Sequence, residues 1–567
     1  MTNKLTMRAF ALALVVGFSG CDLEVENTNE PDRDRALATA DDVETLIASS
    51  YQQIWSMQHY WNNNLSHNMM SHRHTASWGN MGQNDFGREP REPMPNQSSY
   101  FWSYVFEGNW QDSYAAISAA SDGMRALEAG LEIGPGGERN GRATVFAKFN
   151  IGMALCYLGM WYDQAFVVDE TTDVTAGLEF ASYDALISAG VAKLSETVTL
   201  ANSTPFTLEE AWMPSSNGAL SNTDLANLAM SYRARCRANG ARSETDAALV
   251  DWNAVQTDAT NGLQELTIVG TDADTFGDPA KPWWDGPKAL GTEPNTWHRM
   301  HPDWHGMSDV SGNYQAWINT PLAQRTPFAS TTPDIRYPDT AVDEDRGTRH
   351  MFKSSIIWPP VRGTYRQSHY ADFRHEAYVT SCTYCYYGNI TELTPYEMRL
   401  MVAEAAFRLG DIATAVSVVN ETRVAEGGLP AVTDAGTVPG GANCVPRKRY
   451  DPAGRCGDLR DALIYEHFES IFQDSGGLEF LHGRRFDILP TGTAIHLPVP
   501  ASDLEVLQYN LYTFGGAGNT GSAGNPTPPP NIIPGSLDSA LERAAWSLSA
   551  IQRRAEARAA QLDLVVR

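Results

Sequence analysis

Residues 394–411 read T-P-Y-E-M-R-L-M-V-A-E-A-A-F-R-L-G-D, and this stretch decides the fold class. Tyr396, Leu400, Ala403 and Phe407 are spaced by four, three and four, which puts them on one helix face. Thr394 is a good N-cap, Pro395 suits the first helical position, and Glu397 completes a capping box. Gly410 supplies the stop, and Asp411 starts a second helix bearing Ile412, Val416 and Val419. Two helices joined by so tight a turn must be antiparallel neighbours, the unit of tetratricopeptide-like repeats.

The same period recurs upstream. Phe146, Phe149, Met153, Cys156 and Met160 form one apolar stripe, and Leu225, Leu228, Tyr232 and Cys236 form another. A further helical stretch follows near 247–263. The repeats are degenerate and scattered, so the expected fold is mainly α: an irregular tetratricopeptide-like scaffold over 37–515, and no regular solenoid. Two long segments lack the helical period. Residues 61–100 are rich in Asn, His, Met and Pro, and 265–390 in Pro, Gly and Trp, with short strands expected at places such as 354–357. Loop-rich insertions on a helical scaffold are where function is expected. Residues 516–567 read as a Gly- and Pro-rich linker followed by a last helix over about 537–562.

The N-terminus reads as an export signal. Lys4 and Arg8 precede an apolar run over 9–18, too short to span roughly 30 Å of hydrocarbon. Ser19 and Gly20 are the small residues a signal peptidase needs, and Cys21 directly after them resembles a bacterial lipobox, with Phe18 where Leu is usual. Residues 1–20 are therefore the expected signal peptide and Cys21 the lipidated residue. Residues 21–36, acidic and turn-rich, are a solvated tether. The chain carries 42 Lys plus Arg against 68 Asp plus Glu, a net charge of -26. A field of that sign repels phosphate backbones, which excludes nucleic acid as a partner, and it leaves membrane attachment to the lipid.

Of the 7 cysteines, Cys21 is assigned to lipid. Cys382 and Cys385 form C-T-Y-C, and Cys444 and Cys456 bracket a loop containing Pro and Gly. A zinc ribbon needs two C-x-x-C pairs and the second spacing is wrong, so disulfides are expected, Cys444–Cys456 above all. Cys156 and Cys236 fall on apolar helix faces and read as buried thiols.

Several blocks then acquire meaning from their order. They are W-Q-D-S-Y-A-A-I at 110–117, A-L-C-Y-L-G-M-W-Y-D at 154–163, and the 396–411 stretch continuing through V-N-E-T-R at 419–423. L-I-Y-E-H-F-E-S-I-F at 463–472 follows, then G-R-R-F-D-I-L at 483–489 and L-P-V-P-A-S-D-L-E-V-L-Q-Y-N at 497–510. Together the series resembles the SusD/RagB family of outer-membrane lipoproteins. The chain departs from that pattern after Trp161, where a G-D-V-P turn is missing, and by continuing more than fifty residues past the last block. The resemblance implies a cell-surface protein that binds an oligosaccharide, a peptide or another large nutrient. It implies a SusC-like TonB-dependent transporter as partner, no cofactor and no catalysis.

Sugar binding requires flat rings that stack on a pyranose, with amides and carboxylates for its hydroxyls. The segment 281–390 is richer in aromatics than the 10% of the whole chain. Trp304, Tyr314 and Trp317, approached by Trp78 and Asn80 from the earlier loop, are the expected ligand-binding residues. For each ring the other reading stays open, that it packs a loop onto the scaffold. His298, His301 and His305 have helical metal-ligand spacing, but Pro302 interrupts it, and His67, His72 and His74 form a second loop cluster. No metal site is expected from either. The chain has no H-E-x-x-H, G-x-S-x-G or Walker loop, so a binding protein is expected rather than an enzyme. A surface glycoside hydrolase and a helical scaffold without nutrient ligand are the alternatives.

Overall fold

Nine helices of ten or more residues carry the fold among the described residues. They are α1 (Ala40–His59), α2 (Tyr104–Glu128), α3 (Asn140–Trp161), α4 (Tyr183–Ser203), α5 (Asn222–Asn239), α6 (Trp252–Asn261), α7 (Glu397–Leu409), α8 (Ile412–Ala425) and α9 (Leu459–Ile471). Each packs on the next from α1 to α8, and α9 closes onto α7 and α8. This computed structural model describes residues 37 and 39–516, apart from 61, 62, 76, 77, 272–281, 294, 357, 380–386, 473 and 475. The expected signal peptide, Cys21, the tether, the Cys382–Cys385 pair, and the linker and helix beyond Gly516 lie outside these residues.

The α7–α8 pair forms as its sequence dictates except at its start, where α7 begins at Glu397 with Tyr396 as N-cap, so that Thr394 and Pro395 fall in the turn before it. Gly410 takes a left-handed φ of 82° and its N–H bonds back to Ala406 and Phe407. Asp411 caps α8 by accepting from the Thr414 N–H at 3.1 Å. At the other end the expected capping box does not close. Thr394 Oγ1 accepts from the Tyr396 N–H at 3.2 Å, but the Glu397 carboxylate reaches Arg235 of α5 at 2.7 Å instead. Both side chains are almost fully buried, and a carboxylate taken out of water requires an ionic partner more than it requires a cap.

Helix α3 is apolar around its whole circumference because it is the core helix; it has the length and apolarity to cross a membrane, but it is buried. Helix α4 approaches it closely through glycines. A Cβ at Gly190 would lie 2.6 Å from Cys156 Sγ, and one at Gly152 would lie 2.9 Å from Leu194 Cγ. Cys156 and Cys236 are not free thiols. They are joined, Cα to Cα 5.5 Å, stapling α3 to α5. Each sits on the inward stripe of its own helix, and the two stripes face one another. Cys444 and Cys456 are joined as expected.

The conspicuous polar residues of the sequence blocks are internal clamps. Arg242 donates to the carbonyls of Met160 at 2.6 Å and Tyr162 at 2.9 Å, satisfying the end of α3. Arg484 does the same for Asn239 and Ala241 after α5. Glu404 of α7 pairs with Arg485 at 2.6 Å, and Glu466 of α9 with Arg336 at 2.8 Å. The long connection between α6 and α7 is thereby tied down onto the scaffold.

Strands are few and come as antiparallel pairs: β1 (His74–Thr75) with β5 (Arg299–Met300), β2 (Gln164–Ala165) with β3 (Ala181–Ser182), β4 (Leu266–Val269) with β8 (Asn389–Leu393), and β6 (His350–Phe352) with β7 (Tyr370–Asp372). The strand expected at 354–357 is displaced to β6; residues 354–356 are irregular because the Ser354 N–H is taken by Asp343. The helix expected near 247–263 is two, Glu244–Ala247 and α6, because Asp251 caps a fresh start by accepting from Ala254 N–H. Apolar side chains gather in two large cores, one built mainly on α1 to α5 and one on α5 to α9, and in a small third cluster of Tyr314, Trp317 and Tyr365.

Candidate functional site

The rings expected to form an open platform are packed instead. Trp304 lies in the short helix Pro302–Ser308, every residue of which is buried. Its ring stacks on Phe468 of α9 at 3.9 Å with planes 3° apart, and the Arg449 guanidinium lies over it at 4.2 Å. Tyr314 and Trp317, on the helix Asn313–Asn319, are also buried and stack on one another 6.2 Å apart. Gly306 admits the Tyr314 ring, since a Cβ there would lie 2.3 Å from Tyr314 Cδ2. A Trp304–Tyr314–Trp317 platform is therefore not formed. Trp304 loses its water by packing on α9, and Tyr314 and Trp317 lose theirs in a small cluster with Tyr365 and Phe328. Trp78 and Asn80 are half-buried. Trp78 meets Trp297 edge-on at 4.2 Å, and Asn80 opens a single 3-10 turn, Asn80–Gly82.

That turn leads into a different constellation. Residues 100–104 read Y-F-W-S-Y and run into the start of α2. Phe101 is 69% exposed. Trp102 stands edge-on to it at 4.5 Å, and Tyr104 lies 6.1 Å further along. Tyr100 turns inward and donates to Asp85 Oδ2 at 2.7 Å. Burial and the Asp85 carboxylate both push the Tyr100 hydroxyl above its ordinary value, so it remains a proton donor. Gly82 packs under the same ring, where a Cβ would lie 2.7 Å from the hydroxyl.

Beside these rings is a partly open cavity of about 220 Å³, walled by Asp85, Phe86, Arg91, Glu92, Tyr100 and Thr493 among others. Arg88 neutralises the two acids, 3.1 Å from Asp85 and 2.6 Å from Glu92. Arg91 is buried and donates to the Met70 carbonyl at 3.1 Å; burial lowers its pKa. Its Nε and Thr493 Oγ1 have no hydrogen-bond partner among the described residues, and both residues line the cavity. Stacking faces beside directed donors and neutralised carboxylates suit a polar ligand with apolar faces, as a sugar has. Sequence reasoning passed over this place. The signal was present, four aromatics in five residues at the edge of a loop-rich insertion.

The histidines of the two loop clusters meet only in part: the His74 and His298 rings lie 5.4 Å apart, while others turn to separate partners. His298 Nε2 meets Gln83 at 3.0 Å and His305 Nδ1 meets Ser330 at 2.7 Å. His301 turns to Asp303, 3.2 Å away. His59, at the end of α1, is held between Asp285 at 2.7 Å and Glu392 at 2.5 Å. Burial alone would lower its pKa, but the two carboxylates raise it. This cluster is wholly internal and pins α1 to β8.

The chain is thus a stack of irregular helical hairpins with a polar, aromatic-rimmed cleft built on loops. Its fold is that of the SusD-like proteins. The chain is similar to a SusD homolog from Bacteroides thetaiotaomicron, with 12% identity, 86% of this chain and 92% of that chain covered, and a TM-score of 0.51. It is likewise similar to a SusD superfamily protein from Parabacteroides distasonis, with 11% identity, 82% and 97% covered, and a TM-score of 0.50. No protein-family model and no curated protein matches the chain.

Proposed function

We propose that the protein captures an oligosaccharide, or a peptide, at the cell surface and delivers it to a SusC-like TonB-dependent transporter in the outer membrane. The exposed Phe101 and half-buried Trp102, placed beside the Arg91–Tyr100 cavity on a SusD-like scaffold, carry this reading. Trp78 and Asn80 stand on the loop that leads to the cavity wall and extend the binding surface. The lipobox at Cys21 supports attachment by lipid, and the charge of -26 requires such an anchor at an anionic membrane.

The test is titration calorimetry of the purified protein against a panel of soluble glycans and peptides. Binding without turnover is expected. Phe101→Ala and Trp102→Ala should each weaken it by about 1–3 kcal/mol, the scale of a hot-spot aromatic, with the melting temperature unchanged. Turnover of a bound glycan, or affinity unchanged in both variants, contradicts the proposal. The membrane part is tested by Cys21→Ser, which should release soluble protein. The partner is tested by co-purification of a TonB-dependent barrel with the lipidated wild type.

A further inference from the structure

The antiparallel pairing of β1 with β5 sets His74 opposite Met300. It thereby draws together His72, just before β1, and His301, just after β5, one from each of two histidine clusters far apart in sequence. The rings stack with centroids 3.7 Å apart and planes at 14°. His72 Nδ1 lies 2.7 Å from Asp303 Oδ2, and His301 Nδ1 lies 3.2 Å from the same oxygen. His72, His301 and Asp303 are each 3% exposed or less. On the far side of the His72 ring, Nε2 is 2.7 Å from a carboxylate oxygen of Glu89. His72 also holds a left-handed backbone, φ 59°, which a buried side chain other than glycine's adopts at a cost, and which clusters at functional sites.

We propose that His72, His301 and Asp303 form a binding site for one divalent transition-metal ion, with Glu89 orienting His72 from behind. The three ligand atoms lie within 4.8 Å of one another, close enough for a single ion once the rings tilt and His301 Nδ1 gives up the Asp303 N–H that it accepts at 3.2 Å. A carboxylate on the second nitrogen of a ligating histidine fixes the tautomer that turns the other lone pair to the metal. Two carboxylates converge on this one buried imidazole, and a bound ion can supply the positive charge there in place of an imidazolium proton. Arg449 also approaches, 3.6 Å from Asp303, but it lies over the rings of Trp304 and Tyr450. Two nitrogens and one carboxylate suit zinc, cobalt, nickel or copper. Calcium and magnesium require a fuller set of oxygens. Bound metal would tie the loop that carries the cavity wall to the helix Pro302–Ser308. The proposal stands apart from the glycan reading, because the ion is not the captured ligand.

Tag-free full-length protein, stripped with chelator and dialysed, is titrated with Zn²⁺ by calorimetry and with Co²⁺ by visible absorption. One equivalent per chain is expected, together with a higher melting temperature. X-ray absorption of the zinc-loaded protein should show two imidazoles and oxygen donors without sulfur. His301→Gln and Asp303→Asn should abolish the stoichiometric binding, and Glu89→Gln should weaken it by about 10–100-fold. His305→Gln, which faces Ser330, should leave it unchanged. Absence of stoichiometric binding, or an equivalent retained in folded His301→Gln, overturns the site. If the variants do not fold, a zinc shell with sulfur or fewer than two imidazoles in the wild type overturns it equally.

Discussion

Replacing Trp304 by alanine tests whether the aromatic insertion is core or surface. The ring is 2% exposed, stacked at 3.9 Å on Phe468, with Arg449 4.2 Å over it. A buried Trp→Ala exchange costs about 3–5 kcal/mol in lost transfer free energy and cavity. The aromatic pair contributes about 0.5–1.5 kcal/mol of its own, and a desolvated cation–π contact up to about 2. Against these, Trp304 Nε1 has no hydrogen-bond partner among the described residues, so the variant sheds a desolvated donor worth about 1–3 kcal/mol. The opposing terms nearly offset, leaving an expected loss of about 3–5 kcal/mol. Urea unfolding followed by circular dichroism should show the midpoint falling with the slope unchanged. Phe101→Ala, at 69% exposure, is the control and should move stability by less than about 0.5 kcal/mol. A Trp304→Ala loss below about 1 kcal/mol would refute the burial argument and restore the open platform.

Two further outcomes are expected. The Cys156–Cys236 bridge has a sequence separation of 80 and Cys444–Cys456 one of 12, so chain entropy assigns them about 4.5 and about 3 kcal/mol. The Cys156→Ala/Cys236→Ala double variant should therefore melt below Cys444→Ala/Cys456→Ala, and the reverse order would contradict the entropic account. Burial, opposed by Arg73, pushes the Glu479 carboxyl up to about 7 from 4.5. The folded state thus holds this proton more tightly than the unfolded state. The stabilisation is complete below pH 4.5 and is lost as pH rises through 7, by about 3 kcal/mol in all. Urea unfolding between pH 5 and 8 should show wild type losing stability relative to Glu479→Gln; parallel pH profiles would remove Glu479 from the account.

Local rules carried the reading of α7 and α8 to single residues, because Gly410 and Asp411 act within one turn of their own positions. They failed at Glu397, whose partner Arg235 is distant in sequence, so its role as an ion-pair residue cannot be seen from T-P-Y-E. Cys156 and Cys236 were placed correctly on inward stripes, yet only the packing of α3 against α5 pairs them. The fold was legible because the block residues, Glu404, Glu466, Arg484 and Arg485, are internal clamps that the scaffold needs. The site was legible only as a region. Aromatic enrichment cannot separate a ring laid on α9, such as Trp304, from one left outside, such as Phe101, since both follow the same composition and differ in what the loop meets after folding.

Helix α5 contributes Leu225, Leu228 and Tyr232 to one core and Ala234 and Ala238 to the other. Opening either half strips one side of this helix and leaves the other packed, so its amides are released only when both halves open. The two halves are then separate cooperative units joined by a common wall. Phe86, Met70 and Met94, beside the cavity, belong to the first unit, while Trp304 and Met300 belong to the second. The loops that wall the cavity can therefore loosen with the first unit while the α6–α9 half stays intact.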